Sequence, residues 1–236
     1  MLPIFIFFFI IIYFFYIFLY KSKIDQSQKK IITPDQAIEE LVQGNKAYHS
    51  FWNFITGTNR KSVATVQTPF AIVLSCSDSR VPTEIILNQL GLGNLFIVRN
   101  AGNIADGVAL GSIEYGIDQL QALLILVLGH ERCGAVSTTV DSILTQNINK
   151  SGHIQDIINR ITPAAHKILE AHKTTDFDET TKIDIINACV KENIHHVIAT
   201  LYQESKIIAD ALDAEKIKIV GAYYDLQDGN IHIITK

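Results

Sequence analysis

The stretch ALLILVLGHERCGA, residues 122–135, decides how the rest of the chain is read. An apolar run with no polar alternation suits a strand buried on both faces, as in a parallel sheet covered by helices. The run stops at Gly129 and is followed at once by His130 and, three residues on, by Cys133. A second run, FAIVLS at 70–75, ends the same way on Cys76, with Asp78 and Arg80 at alternate positions beyond it. In an open parallel sheet, ligands gather at the carboxyl ends of strands. If these two strands are neighbours, Cys76, His130 and Cys133 converge on one point.

Working outward, apolar runs alternate with helical stretches: PTEIILNQL, LFIVR and DGVALGSIEYGIDQL fill the interval between the two strands. This order predicts an α/β fold, a mostly parallel β-sheet flanked by helices. Downstream, HIQDIINRITPAAHKILEAH and IDIINACVKENIHHVIATLYQESKIIADAL have the pattern of long amphipathic helices, and KIKIVGAYYDLQDGNIHIIT that of a closing hairpin turned by Asp228-Gly229. Upstream, TPDQAIEELVQGNKAY opens with Thr33 as N-cap, Pro34 at the first helical position and Gln36 three residues after the cap. It predicts an N-terminal helical arm.

Of the 236 residues 48% are hydrophobic and 19% charged, enough apolar material for a real core. The formal charge of −4, without blocks of one sign, offers no electrostatic footprint for nucleic acid, so a small molecule or a protein is the expected partner. Residues 1–20, MLPIFIFFFIIIYFFYIFLY, carry no charge before Lys21 and match the ~20 residues a membrane-spanning helix needs. They lack the basic start and small-residue cleavage site of a cleaved leader. The reading is a transmembrane anchor or an uncleaved signal, with a mis-assigned start codon as the further alternative. Residues 21–32 form a linker and 33–236 the catalytic domain. Lys21, Lys23, Lys29 and Lys30 favour a cytoplasmic domain by the positive-inside tendency, and a signal would make it periplasmic or secreted.

Two thiolates and an imidazole suit zinc, and three protein ligands leave a fourth tetrahedral position for water, the pattern of a catalytic site. Taken singly, each Cys or His would be filler, and His-x-x-Cys alone is a weak motif; its conjunction with CSDSR is what points to metal. Cys189, in the apolar stretch IINACV, reads as a core residue. Asp78 and Arg80, two apart on extended chain, point to one side, where an Arg fork can keep the carboxylate ionised and oriented. The bland alternative is a strand-end salt bridge. Zinc lowers the pKa of a bound water from ~15.7 to about 7. The residues therefore define a zinc hydrolase or hydratase with a Cys-His-Cys site and an oriented carboxylate.

CSDSRVP, IVRNAGN, GSIEYG and GHERCGA, in this order and spacing, resemble the signature blocks of the β-class carbonic anhydrases, and the likeness extends from TPDQAIEEL to KIVGAYYD. The resemblance implies one Zn2+ per chain on Cys76, His130 and Cys133, and Asp78 with Arg80 as the catalytic dyad. It further implies that the Gly134 N–H helps to position substrate. Gln67, in QTPFAIVLSC, matches the substrate hydrogen-bond donor of the subclass whose site is always open. The implied reaction is reversible hydration of carbon dioxide to bicarbonate and a proton by attack of zinc-bound hydroxide. The implied assembly is a homodimer or a multiple of dimers. Two rivals share the pattern: a same-fold hydrolase of carbonyl sulfide or carbon disulfide, and a non-catalytic bicarbonate sensor.

Overall fold

The computed structural model describes residues 63–146, 152–172 and 178–235, all within one compact unit, Thr56–Lys236. The anchor expected at 1–20, the linker at 21–32 and the helix expected from Thr33 lie outside the described residues. Among the described residues, no helix is long and apolar enough to cross a membrane.

Among the described residues five strands form one sheet: β1 (Ala71–Cys76), β2 (Leu95–Asn100), β3 (Leu124–His130), β4 (Lys218–Tyr224) and β5 (Ile231–Thr235), in the order β2-β1-β3-β4-β5. The three pairings among β1 to β4 are parallel, and β5 closes the edge antiparallel to β4. Every residue of β1 is buried, as is β3 after its first residue. This is why both read as unbroken apolar runs. Alternation within them feeds two cores. Ile72, Leu74, Ile125 and Val127 face one layer of buried helical side chains, among them Ile113, Val136, Ile161 and Ile194. Val73, Leu126 and Leu128 face the other side with Ile86, Leu87 and Tyr224.

The helices are α1 (Thr83–Ile86), α2 (Gly107–Asp118), α3 (Gly134–Leu144), α4 (Ile154–Ala171), α5 (Glu179–Glu204) and α6 (Lys206–Asp213). Asp106 caps α2 by accepting from the Ala109 N–H, and Asp178 caps α5 by accepting from Thr181. Three expectations change. PTEIILNQL yields only the four residues of α1, because Asn88 turns to a φ of 52° and breaks the helical path. The long downstream helix divides at Ser205, whose extended backbone ends α5 and whose Oγ accepts from the Ile208 N–H to start α6. The same hydroxyl donates to Glu114 Oε1 at 2.6 Å. In the hairpin, residues 225–230 separate β4 from β5, and of these only Gly229 takes a positive φ (74°). The turn is thus a longer loop, not the two-residue turn expected.

Two glycines of α2 give opposed predictions. A Cβ at Gly116 would stand 2.7 Å from Ile72 Cδ1 and 2.8 Å from its Cγ1, whereas a Cβ at Gly111 meets nothing within 4 Å. Gly111→Ala is expected to stabilise the domain by about 0.5–1 kcal/mol through helix propensity. Gly116→Ala adds overpacking, which costs about 1–3 kcal/mol, and is expected to destabilise on balance. Urea midpoints of the two variants check the pair, and midpoints moving in the same direction would refute it.

Candidate metal centre and carboxylate dyad

The parallel pairing of β1 with β3 sets the carboxyl ends of the two strands side by side. β1 ends on Cys76 and β3 on His130, and Cys133 is the N-cap of α3. Cys76, His130 and Cys133 are 4%, 0% and 1% exposed. Their ligand atoms all lie within 4.8 Å of one another.

Three features fit this triad to zinc. The two Sγ atoms are 3.9 Å apart, close to the ~3.8 Å edge of a tetrahedron with zinc–sulfur bonds of about 2.3 Å. His130 Nδ1 lies 2.9 Å from the Glu131 carbonyl oxygen. A carbonyl only accepts, so Nδ1 carries the proton and Nε2 keeps a free lone pair, the arrangement of a metal-ligating histidine. That Nε2 is buried without a hydrogen-bond partner, a costly state unless a metal takes the lone pair.

The sulfurs polarise each other. A hydrogen bond from Cys133 holds the Cys76 thiol far below its ordinary value against the opposing effect of burial, with the backbone N–H groups of Gly102 and Asp78 adding to it. Cys133 is pushed up, by Cys76 and by its own burial. Cys76 is the sulfur of the pair whose ionised form is favoured. The Gly102 N–H points at its Sγ from 3.4 Å.

Beyond Cys76 the chain folds back on itself. Arg80 donates from Nε to Asp78 Oδ1 at 2.9 Å and from Nη2 to Oδ2 at 2.7 Å, and its backbone N–H also bonds Oδ1 at 2.9 Å. These Arg80 hydrogen bonds hold the Asp78 carboxyl well below the usual carboxylate range, outweighing partial burial. Asp78 Oδ2 stands 3.8 Å from His130 Nε2. It borders the metal cage, yet the ligand atoms that cluster at this cage among the described residues are those of Cys76, His130 and Cys133.

The structure therefore brings together Cys76, His130, Cys133, Asp78 and Arg80 as the sequence predicted. Gly134 is the first residue of α3, directly after Cys133. Gln67 is exposed on the segment that leads into β1. Cys189 is fully buried and, with burial pushing its thiol up to about 12, is inert core.

Other residues escaped the sequence reading. Arg99 donates from Nε to the Cys76 carbonyl at 3.0 Å and from Nη2 to the Asp78 carbonyl at 2.9 Å, clamping the backbone between ligand and dyad. A charged residue at the end of the apolar run LFIVR was its available signal. Glu131 is 3% exposed. Its carboxylate accepts from the Leu226 N–H at 3.2 Å and from Gln227 Nε2 at 2.8 Å, tying the β4–β5 loop to the turn after His130. Asn187 Oδ1 accepts from the Arg132 N–H at 2.9 Å and supports that turn, where Arg132 has a φ of 51°.

Comparison with known proteins agrees with this geometry. A family model described as carbonic anhydrase matches residues 71–231. A carbonic anhydrase of Mycolicibacterium smegmatis is 40% identical over 174 residues, 74% of this chain and 79% of that one. Beta carbonic anhydrase 3 of Arabidopsis thaliana is 31% identical over 213 residues, 84% of this chain and 76% of that one. Among solved structures, one of two tetrameric β-carbonic anhydrases from Sordaria macrospora superposes with a TM-score of 0.71 at 21% identity, over 84% of this chain and 96% of that one. The fold, the triad and these likenesses place the chain in the β-class carbonic anhydrase family, whose cofactor is zinc.

Proposed function

We propose that the chain catalyses the reversible hydration of carbon dioxide to bicarbonate with one Zn2+ held by Cys76, His130 and Cys133. Zinc bound there supplies a Lewis acid that brings a water's pKa down to about 7. The observation that carries the reading is the posture of Asp78. Its carboxylate is engaged by the Arg80 fork and sits beside the cage, 3.8 Å from His130 Nε2. A carboxylate so held stays ionised, accepts a hydrogen bond from the attacking water, and directs a lone pair of that water toward the carbon of the substrate.

The other residues divide the remaining work. His130 keeps its proton on Nδ1 through the Glu131 carbonyl, so Nε2 remains a ligand. The Gly134 N–H, at the head of α3 where helical amides have no intrahelical acceptor, donates to a substrate oxygen. Gln67 donates a second hydrogen bond to the substrate. We read the working unit as a homodimer or a multiple of dimers, a reading supported by the tetrameric relatives from Sordaria macrospora. We read residues 1–20 as an anchor or uncleaved signal that associates the domain with a membrane, Lys21, Lys23, Lys29 and Lys30 favouring the cytoplasmic face and a signal the periplasmic or secreted side.

Stopped-flow hydration of carbon dioxide by the full chain, with zinc quantified in the same sample, tests the reading. The expected result is zinc near one per chain and activity rising through neutral pH. Zinc without hydration, accompanied by turnover of carbonyl sulfide or by bicarbonate binding alone, would overturn it.

A further inference from the structure

Helix α5 carries a buried amide that packing alone does not explain. Asn193 is 1% exposed and sits among the core residues Val190, Ile194 and Val197 of the same helix. Its Oδ1 is buried without a hydrogen-bond partner. A half-satisfied amide in a core is a net cost that a leucine would avoid. What Asn193 does make is one bond, from Nδ2 to the Gly102 carbonyl oxygen at 3.0 Å. Gly102 is the residue whose N–H donates to Cys76 Sγ.

The loop at Gly102 has little freedom. Its φ is 78°, and a Cβ there would stand 2.7 Å from Ile161 Cδ1 of α4 and 3.2 Å from Ala135 Cβ of α3. The approach of α5 is equally specific. A Cβ on Gly129, the residue before His130, would stand 2.8 Å from Ile194 Cδ1 and 3.0 Å from Val190 Cγ1, and one on Gly221 would stand 2.8 Å from Ile194 Cγ2. The absence of side chains at these two points of β3 and β4 lets α5 sit close enough for Asn193 to reach the loop.

We propose that Asn193 is a positioning residue of the metal centre. By holding the Gly102 carbonyl it aims the Gly102 N–H at the Cys76 sulfur, and so governs how strongly that thiolate donates to zinc and how slowly zinc is lost. This inference rests on the zinc reading given above. Outer-shell partners of this kind change metal affinity by about 10–100-fold when removed.

The test uses the full chain loaded with zinc, and in parallel with Co2+. Asn193→Leu removes the donor at similar volume, and Asn193→Ala serves if leucine does not fit. The expected result is about 10–100-fold faster transfer of zinc to a chromophoric chelator. A shifted sulfur-to-cobalt charge-transfer band should accompany it, with an unchanged far-UV circular dichroism spectrum. A folded variant with the wild-type release rate and an unshifted band overturns the proposal. Should neither variant fold, amide exchange in the zinc-loaded wild type decides: slow exchange at Gly102 supports the N–H···S bond, and exchange at the rate of a free amide refutes it. A wild-type chain that holds no zinc overturns the metal reading, and this proposal with it. A wild type that holds zinc beside variants that release it equally slowly overturns this proposal alone.

Discussion

His130→Ala is expected to abolish carbon dioxide hydration and to leave the purified chain with far less than one zinc. The reasoning starts from the orphaned Nε2. It is buried and without a hydrogen-bond partner, so zinc is the group that relieves it, and folding and metal binding are coupled. A metal present at ~1,000 times its dissociation constant stabilises the native state by about 4 kcal/mol. For a domain of this size that is roughly 8–16 °C in melting temperature. Removing one of three ligands costs more than the ~10–100-fold lost with an outer-shell partner, so most of that stabilisation disappears. The discriminating measurement is a pair of thermal scans, in zinc and in chelator. Wild type and His130→Ala should differ widely in zinc and little in chelator, where both lack the metal. Zinc retained near one per chain by the variant would refute the ligand assignment.

What could be read in the residues, and what could not, follows from the distance over which each feature is determined. β1 and β3 were legible because burial on both faces keeps them apolar up to Ser75 and His130 near their carboxyl ends, and the triad because Cys76 and His130 stand at the ends of those runs. The Asp78–Arg80 fork was legible because two alternate positions on an extended stretch share a side. Features set by contacts between distant segments were not. The apolar periodicity runs straight through Ser205, and the break there is fixed by Glu114 of α2, which accepts from the serine hydroxyl. The clamp by Arg99 depends on the parallel register that places Cys76 opposite Asn100. Asn193 reads as one polar residue in an amphipathic helix, and its significance exists only where the chain returns to Gly102, 91 residues away.

Asp78→Asn is expected to separate catalysis from metal binding. Asparagine has the shape of aspartate, and the ligand atoms of Cys76, His130 and Cys133 cluster without it, so zinc should remain near one per chain. The amide cannot accept the Arg80 fork through both arms, and its NH2 presents donors where the attacking water needs an acceptor. Misplaced proton acceptance of this kind costs about 10²–10⁴-fold in rate. Stability should change little. The Arg80 side chain is 51% exposed, and ion pairs so open to solvent contribute about 0–1 kcal/mol. The sign of the pH effect follows from the same pair. The Asp78 carboxyl lies lower in the folded chain than its ordinary 3.8, chiefly through the Arg80 hydrogen bonds. Its stabilising contribution is therefore complete above that ordinary value and is lost only as pH falls below it. Asp78 is ionised across the whole neutral range and does not produce the rise of activity with pH. The deficit of Asp78→Asn should accordingly be constant from about pH 6.5 to 9, the span around the ~7 of a zinc-activated water. Stopped-flow rates across that span, with zinc quantified at each end, check it. A deficit that closes at high pH would mean that Asp78 acts by supplying charge to the titration rather than by orienting the water.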